Sequence, residues 1–377
     1  MHFLTPVLRD YAWGTTHDIP QLLGIRHNGQ PVAEAWWGAH DSSPSRVHNH
    51  SGPAPLDELV GTDPEGCLGP DAVARWGARL PFLLKILAIH KPLSIQVHPT
   101  LEQAREGFAR EQRGTGGLPH QFLDPFHKPE MVVALTPMTI LAGVRDLDVI
   151  ADDLRQLGTP GAHVLRATLA RGDLHDFISA AIAGAADDHT LAALAEAGDA
   201  APHGSSLAVA ASALRSFPGD SGALIALGLN AVELAKGEAI YTGAGVLHSY
   251  QSGVGIEIMA NSDNVVRAGL TPKTIDVPLL LELSHTEPCA PGRPERTEGD
   301  GHVHLTTDAE EFALTVVTRE ASIPAGPRIV LAVEGAASIH SESGSLDLIR
   351  GQAAFVAYSD GPVEVRSQGL TAVARVP

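Results

Sequence analysis

Four side chains from three distant stretches have the types and spacing to share a divalent cation. Gln96 and His98 stand two apart in an alternating apolar run, so an amide oxygen and an imidazole nitrogen share one face of a strand. Glu130 ends Asp124-Pro-Phe-His127-Lys128-Pro129-Glu130, just ahead of another apolar stretch. His248 closes Gly237-x5-Gly243-x-Gly245-x2-His248, a turn-rich segment that delivers a second imidazole. Gln96, His98, Glu130 and His248 together offer two nitrogens and two oxygens. Such a mixed set suits zinc and leaves iron or manganese physically open.

The stretch from Gly255 to Lys273 adds Glu257, Asp263, Arg267 and Lys273 around a polar, turn-rich segment. It combines a supply of carboxylates with cations able to hold a phosphate. The net charge is −18, from 44 acidic against 26 basic side chains. That surface repels nucleic acid and anionic membranes, so neither is expected as a partner. It also repels a phosphorylated substrate unless cations gather locally, which makes their positions informative. Lys85, Lys91, Lys128, Lys236 and Lys273 are the only lysines, and all but Lys236 lie in the segments that look chemical. An ammonium can lose its proton when desolvated, whereas a guanidinium effectively cannot.

The elements that must position these groups are mainly strands. Leu80 to His98 reads as two buried strands joined at His90-Lys91-Pro92, with Ser94, Gln96 and His98 on one face of the second. Leu101 to Arg113 reads as a helix, and Met131 to Ala142 returns to strand character. From about Arg145 to Arg215 alanine, leucine and helically spaced acidic residues dominate, and Phe177 is the only aromatic. β patterning resumes at Ala223. Leu234-Ala-Lys-Gly237-Glu-Ala239-Ile-Tyr echoes Leu348-Ile-Arg-Gly351-Gln-Ala353-Ala-Phe, each a strand, a glycine turn and a strand, which suggests two related barrels or jelly rolls. No apolar run approaches the ~20 residues of a membrane span, the first residues lack a secretory pattern, and two cysteines build no disulfide framework. A cytoplasmic setting is the expectation.

The segment ending in His248 resembles the second signature of the cupin barrels, G-x5-P-x-G-x2-H, with Gly243 where proline is usual. More specifically, ANSDNVVRAGLTPK, HKPE, PLSIQVHP, Ala12-Trp13-Gly14 and Glu34-Ala-Trp-Trp-Gly-Ala-His40 resemble the type I mannose-6-phosphate isomerase family, in order and spacing, over residues 1 to about 280. The resemblance implies a mainly β fold of cupin-type barrel or jelly-roll domains with an inserted helical domain. We expect a discontinuous catalytic barrel (1–143 and 222–290), a helical insertion (144–221) and a metal-free C-terminal β domain (291–377).

It also implies one zinc ion per chain held by Gln96, His98, Glu130 and His248, and a catalytic set of Arg267, Lys85, Glu257 and Asp263. Lys128, His127, Lys273, Tyr250 and Ser94 would contact the substrate, a small sugar phosphate. Phe122 and Phe126 depart from the family's Y-x-D-x-N-H-K-P-E, which leaves any polar role at those two positions in doubt. The implied reaction interconverts mannose 6-phosphate and fructose 6-phosphate through a cis-enediol. The base stays open: Lys85 would need its pKa lowered, Glu257 or Asp263 theirs raised. Another metal-dependent cupin enzyme and a non-catalytic sugar-phosphate binder are the alternatives. A monomer or weak homo-oligomer is expected. Most other histidines (His2, His17, His27, His48, His50, His120, His163 and His285 among them) stand in polar or turn contexts and read as surface residues.

Overall fold

The computed structural model describes residues 1–49, 52–114 and 120–377. His50 lies outside them; His17, His27, His48, His120, His163 and His285 are exposed as expected, and His2 is half-buried. Strands predominate, and every strand-to-strand ladder among the described residues is antiparallel. No helix among them is long and apolar enough to cross a membrane.

A ten-stranded sheet carries the metal-binding candidates. Its centre is the strand His248–Ala260, whose ladder is interrupted by a bulge between Tyr250 and Ser252. Ahead of the bulge it pairs with Ile95–Val97 and Met138–Val144; beyond it, with Phe82–Ile89 and Glu130–Ala134. A bulge bends a strand and increases its twist, so one strand serves two flanks of the barrel. Phe82–Ile89 is buried at every position, as its unbroken apolar run requires, apart from the Lys85 it carries. The Met131 to Ala142 region is two strands rather than one, turning at Leu135–Pro137.

The helical stretch begins with Leu147–Leu157, N-capped by the Asp146 side chain and ended by left-handed Gly158. It runs through Ser206–Ser216 to Gly222–Leu227, so strand character resumes at Leu229 rather than at Ala223. Its apolar faces meet the barrel in one core that holds Phe177, Leu194, Ile225, Ile95 and Val97. Both echoing passages form a strand, a turn at a glycine with positive φ (Gly237 at 87°, Gly351 at 82°) and a second strand.

Sheet pairing does not follow chain order. The strand His2–Thr5 pairs with Ala353–Val356, and Arg46–Asn49 and Gly52–Pro55 extend the same nine-stranded sheet. That sheet packs against a four-stranded one over Val330, Ile339, Val356 and Val365.

Candidate metal centre and active site

Gln96 lies in Ile95–Val97, His98 follows it, Glu130 opens Glu130–Ala134 and His248 opens His248–Ala260. Register places His248 directly opposite Gln96, and Glu130 opposite Met259 of the same long strand. The ligand atoms of His98, Glu130 and His248 all lie within 4.8 Å of one another and are buried. His98 Nδ1 is 2.7 Å from the Asn264 carbonyl, and His248 Nδ1 is 2.8 Å from the Val246 carbonyl. A carbonyl only accepts, so each Nδ1 carries the proton and each Nε2 turns a lone pair inward. These lone pairs face the Glu130 carboxylate, at 3.4 Å from His98 and 2.9 Å from His248.

Convergent lone pairs in a buried spot call for a cation, so the donor set fits a metal. The Gln96 amide lies 3.4 Å from His248 Nε2, and half a turn of that amide presents its oxygen to the same point. Burial, then the Lys128 ammonium, pushes the His98 imidazole down to about 4, which keeps it neutral. Burial, the largest single influence, would raise the Glu130 carboxyl, but Lys128, 2.5 Å from its Oε2, together with His98 and His248 holds it well below the usual range. Tyr250 donates its hydroxyl to Glu130 Oε1 at 3.1 Å. Burial above all, then the Glu130 and Glu257 charges, raises the Tyr250 phenol, so it remains a donor.

Beside the cluster, the Lys85 ammonium meets Glu257 Oε2 at 2.9 Å, both side chains buried. Desolvation alone would lower the Lys85 pKa. Attraction from Glu257 and then Glu34 overcomes it, and the net shift is upward. The condition for Lys85 to act as a base is therefore reversed here. In the sequence Glu34 and Trp36 stand within a family motif but were given no role, and Arg9 was not named. Trp36 lies beneath both Lys85 (5.0 Å) and the Arg9 guanidinium (4.2 Å), and its indole N–H donates to Glu34 at 2.6 Å. The signal was present: Glu34 and Trp36 alternate within Glu34–Gly38, directly beside Phe82–Ile89.

Asp263, Arg267 and Lys273 line one cavity of about 460 Å³, with Gln121, Leu123 and Pro272. Arg267 stands opposite Gln96 in register, which sets the cavity beside the metal cluster. The neighbouring Arg267 charge, then burial, lowers the Lys273 pKa. The rest of the signature laces loops together. Asn264 donates to the carbonyls of Asp124 (2.7 Å) and Phe126 (2.8 Å), Ser262 donates to Asp124, and Asn261 donates to the Ala39 carbonyl.

Four of the five expected substrate contacts lie outside that cavity, Tyr250 among them at the metal cluster. Lys128 is buried against Glu130. His127 turns to Glu311 at 2.7 Å, a residue from the C-terminal third. Ser94 lies half-buried just ahead of Ile95–Val97. Phe122 packs buried against Gly107, and Phe126 takes the Arg79 guanidinium on its ring face at 4.0 Å, so both positions are apolar here.

A buried His-Glu-His cluster between strands of an antiparallel barrel with a helical insert defines a cupin-type protein with a metal site. A model of the phosphomannose isomerase type I catalytic domain matches residues 1–147. Mannose-6-phosphate isomerase of Escherichia coli is 34% identical over 391 residues, covering 99% of this chain and 98% of its own. A point mutant of phosphomannose isomerase from Salmonella typhimurium superposes with a TM-score of 0.92 at 31% identity, covering 100% of this chain and 99% of that one. A mannose 6-phosphate isomerase bound with zinc and yttrium superposes with a TM-score of 0.90, also at 31% identity and with the same coverage. The chain belongs to the type I mannose-6-phosphate isomerase family.

Proposed function

We propose that the protein interconverts mannose 6-phosphate and fructose 6-phosphate with one zinc ion held by Gln96, His98, Glu130 and His248. The observation that carries this reading is the pair of inward-facing imidazole lone pairs converging on Glu130, with Arg267 one strand away. An ion held by these donors would supply stabilisation of negative charge developing on a substrate oxygen.

Glu257 is the proton carrier in this reading. Its carboxylate takes the C2 proton of the open-chain aldose, and the C–H electron pair becomes the C1=C2 bond of a cis-enediol as O1 takes up a proton. The proton on Glu257 then returns to C1 while the O2 proton leaves and the C2 carbonyl forms. The Lys85 ammonium orients Glu257, and Tyr250 links it to the metal cluster. Arg267 and Lys273 gather the positive charge that an acidic chain needs to hold a phosphate. In the same reading His127 and Ser94 contact the sugar phosphate, and Lys128 sets the charge of Glu130.

The accompanying chain division is a discontinuous catalytic barrel (1–143 and 222–290), a helical insertion (144–221) and a C-terminal β unit (291–377). The protein works in the cytoplasm as a monomer or weak homo-oligomer. A coupled assay of fructose 6-phosphate formation tests the activity. A zinc-reconstituted preparation that leaves mannose 6-phosphate unchanged ends this reading, and oxygen uptake by the same preparation favours an oxygenase.

A further inference from the structure

His40 is buried between Trp36, whose ring centroid is 5.0 Å away, and the carboxylate of Asp263. Its two nitrogens meet different partners. Nδ1 lies 3.3 Å from the Ser42 backbone N–H, which only donates, and 3.0 Å from the Ser42 hydroxyl. It must therefore accept, so the ring proton sits on Nε2, which lies 3.2 Å from Asp263 Oδ1. One oxygen of Asp263 is thereby occupied, while the side chain remains 44% exposed beside the cavity of Arg267 and Lys273.

We infer that His40 is a positioning residue for the isomerase. It donates from Nε2 to Asp263 Oδ1, holding that carboxylate ionised and turned so that Oδ2 accepts a hydroxyl of the sugar phosphate. This rests on the isomerase reading and adds to it a residue two strands from any metal donor. The hydrogen bond from His40 is the largest influence lowering the Asp263 pKa. Lys85 and Lys128 act in the same direction. Arg79 and Tyr11 also face Asp263, and Asp124 accepts from its backbone N–H at 2.8 Å.

The sign follows from these groups. Removing the His40 donor raises the Asp263 pKa, so the acid limb of kcat/KM moves to higher pH. The test uses the zinc-loaded full chain, with the wild type assayed first; an inactive wild type rejects the isomerase reading itself. Given an active wild type, His40→Leu should lower kcat/KM by roughly tenfold to a hundredfold, the range for a hydrogen bond to a charged group. It should shift the acid limb upward and leave zinc content unchanged. His40→Gln, whose amide N–H reaches the Nε2 position, should recover most of the loss. In an Asp263→Asn background, His40→Leu should add little.

Equal losses in both backgrounds, or an unmoved acid limb, mean that His40 only fills space and overturn the inference. Should His40→Leu fail to fold, nitrogen NMR of the histidine rings in the wild type decides. An Nε2–H tautomer at His40 supports the inference, and an Nδ1–H tautomer rejects it.

Discussion

Lys85 and Glu257 stand directly opposite each other on neighbouring antiparallel strands, and their charged ends meet at 2.9 Å with almost no solvent contact. Strand register makes this pair: the two side chains share a face because their backbones are paired, and neither has water as an alternative partner. The ammonium keeps its proton, held by the carboxylates that face it.

Breaking that pair should be costly. Lys85→Met leaves Glu257 as an uncompensated buried charge and should destabilise the fold by about 3–5 kcal/mol. Lys85→Met combined with Glu257→Gln should recover much of the stability and none of the turnover. Urea unfolding beside the coupled assay separates the two effects. Wild-type turnover in Lys85→Met would remove the proposed role.

Metal loss should behave as loss of a bound ligand. Dialysis against a chelator should abolish turnover and lower the melting temperature, since an ion that binds only the folded state stabilises it by mass action. Glu130→Gln and His248→Ala should each reduce bound zinc to near zero by elemental analysis. Full zinc occupancy in both variants would mean that the ion sits elsewhere.

Glu34 predicts a pH dependence of stability. Burial, its largest influence, raises the folded pKa above the ordinary 4.5. Below 4.5 the group is protonated in both folded and unfolded chains. As pH rises toward its folded pKa, the unfolded chain releases the proton more readily and stability declines. Glu34→Gln lacks this titration, so its stability relative to wild type should improve as pH rises from about 4 to 8. Denaturant midpoints across that range measure it; a constant difference counts against a raised Glu34.

Arg328 is 0% exposed, and its guanidinium donates to the carbonyls of Pro324 (2.9 Å), Ala357 (2.6 Å) and Gly361 (2.8 Å). Arg328→Met orphans all three acceptors and should cost roughly 3–9 kcal/mol, at about 1–3 kcal/mol per buried unsatisfied group. Arg328→Lys should recover only part, because an ammonium lacks the planar fork. The folded fraction should keep its turnover, since these loops lie in the C-terminal sheets. An unchanged melting temperature in Arg328→Met would contradict this.

Local pattern was enough to reveal many of the elements. The two-residue period put Gln96 and His98 on one face, and Thr100 with Gln103 forms the capping box that starts the helix Leu101–Gln112. Alanine-rich spacing marked the helical stretch, and glycine turns marked both echoing hairpins. These features depend on residues within a turn or two of one another, and such interactions are written in order along the chain.

Tertiary structure alone decided which long-range partner each polar group took. His127 goes to Glu311, 184 positions away, and Lys128 goes inward to Glu130. The strand His2–Thr5 joins the sheet of Ala353–Val356, although chain order would assign it to the first barrel. Attraction from Glu257 and Glu34 reverses the shift that burial of Lys85 alone would impose. In each case the outcome depends on distances between groups remote in sequence, and on how much water remains between them. Composition and spacing name the charges; only packing fixes the dielectric and geometry through which they act.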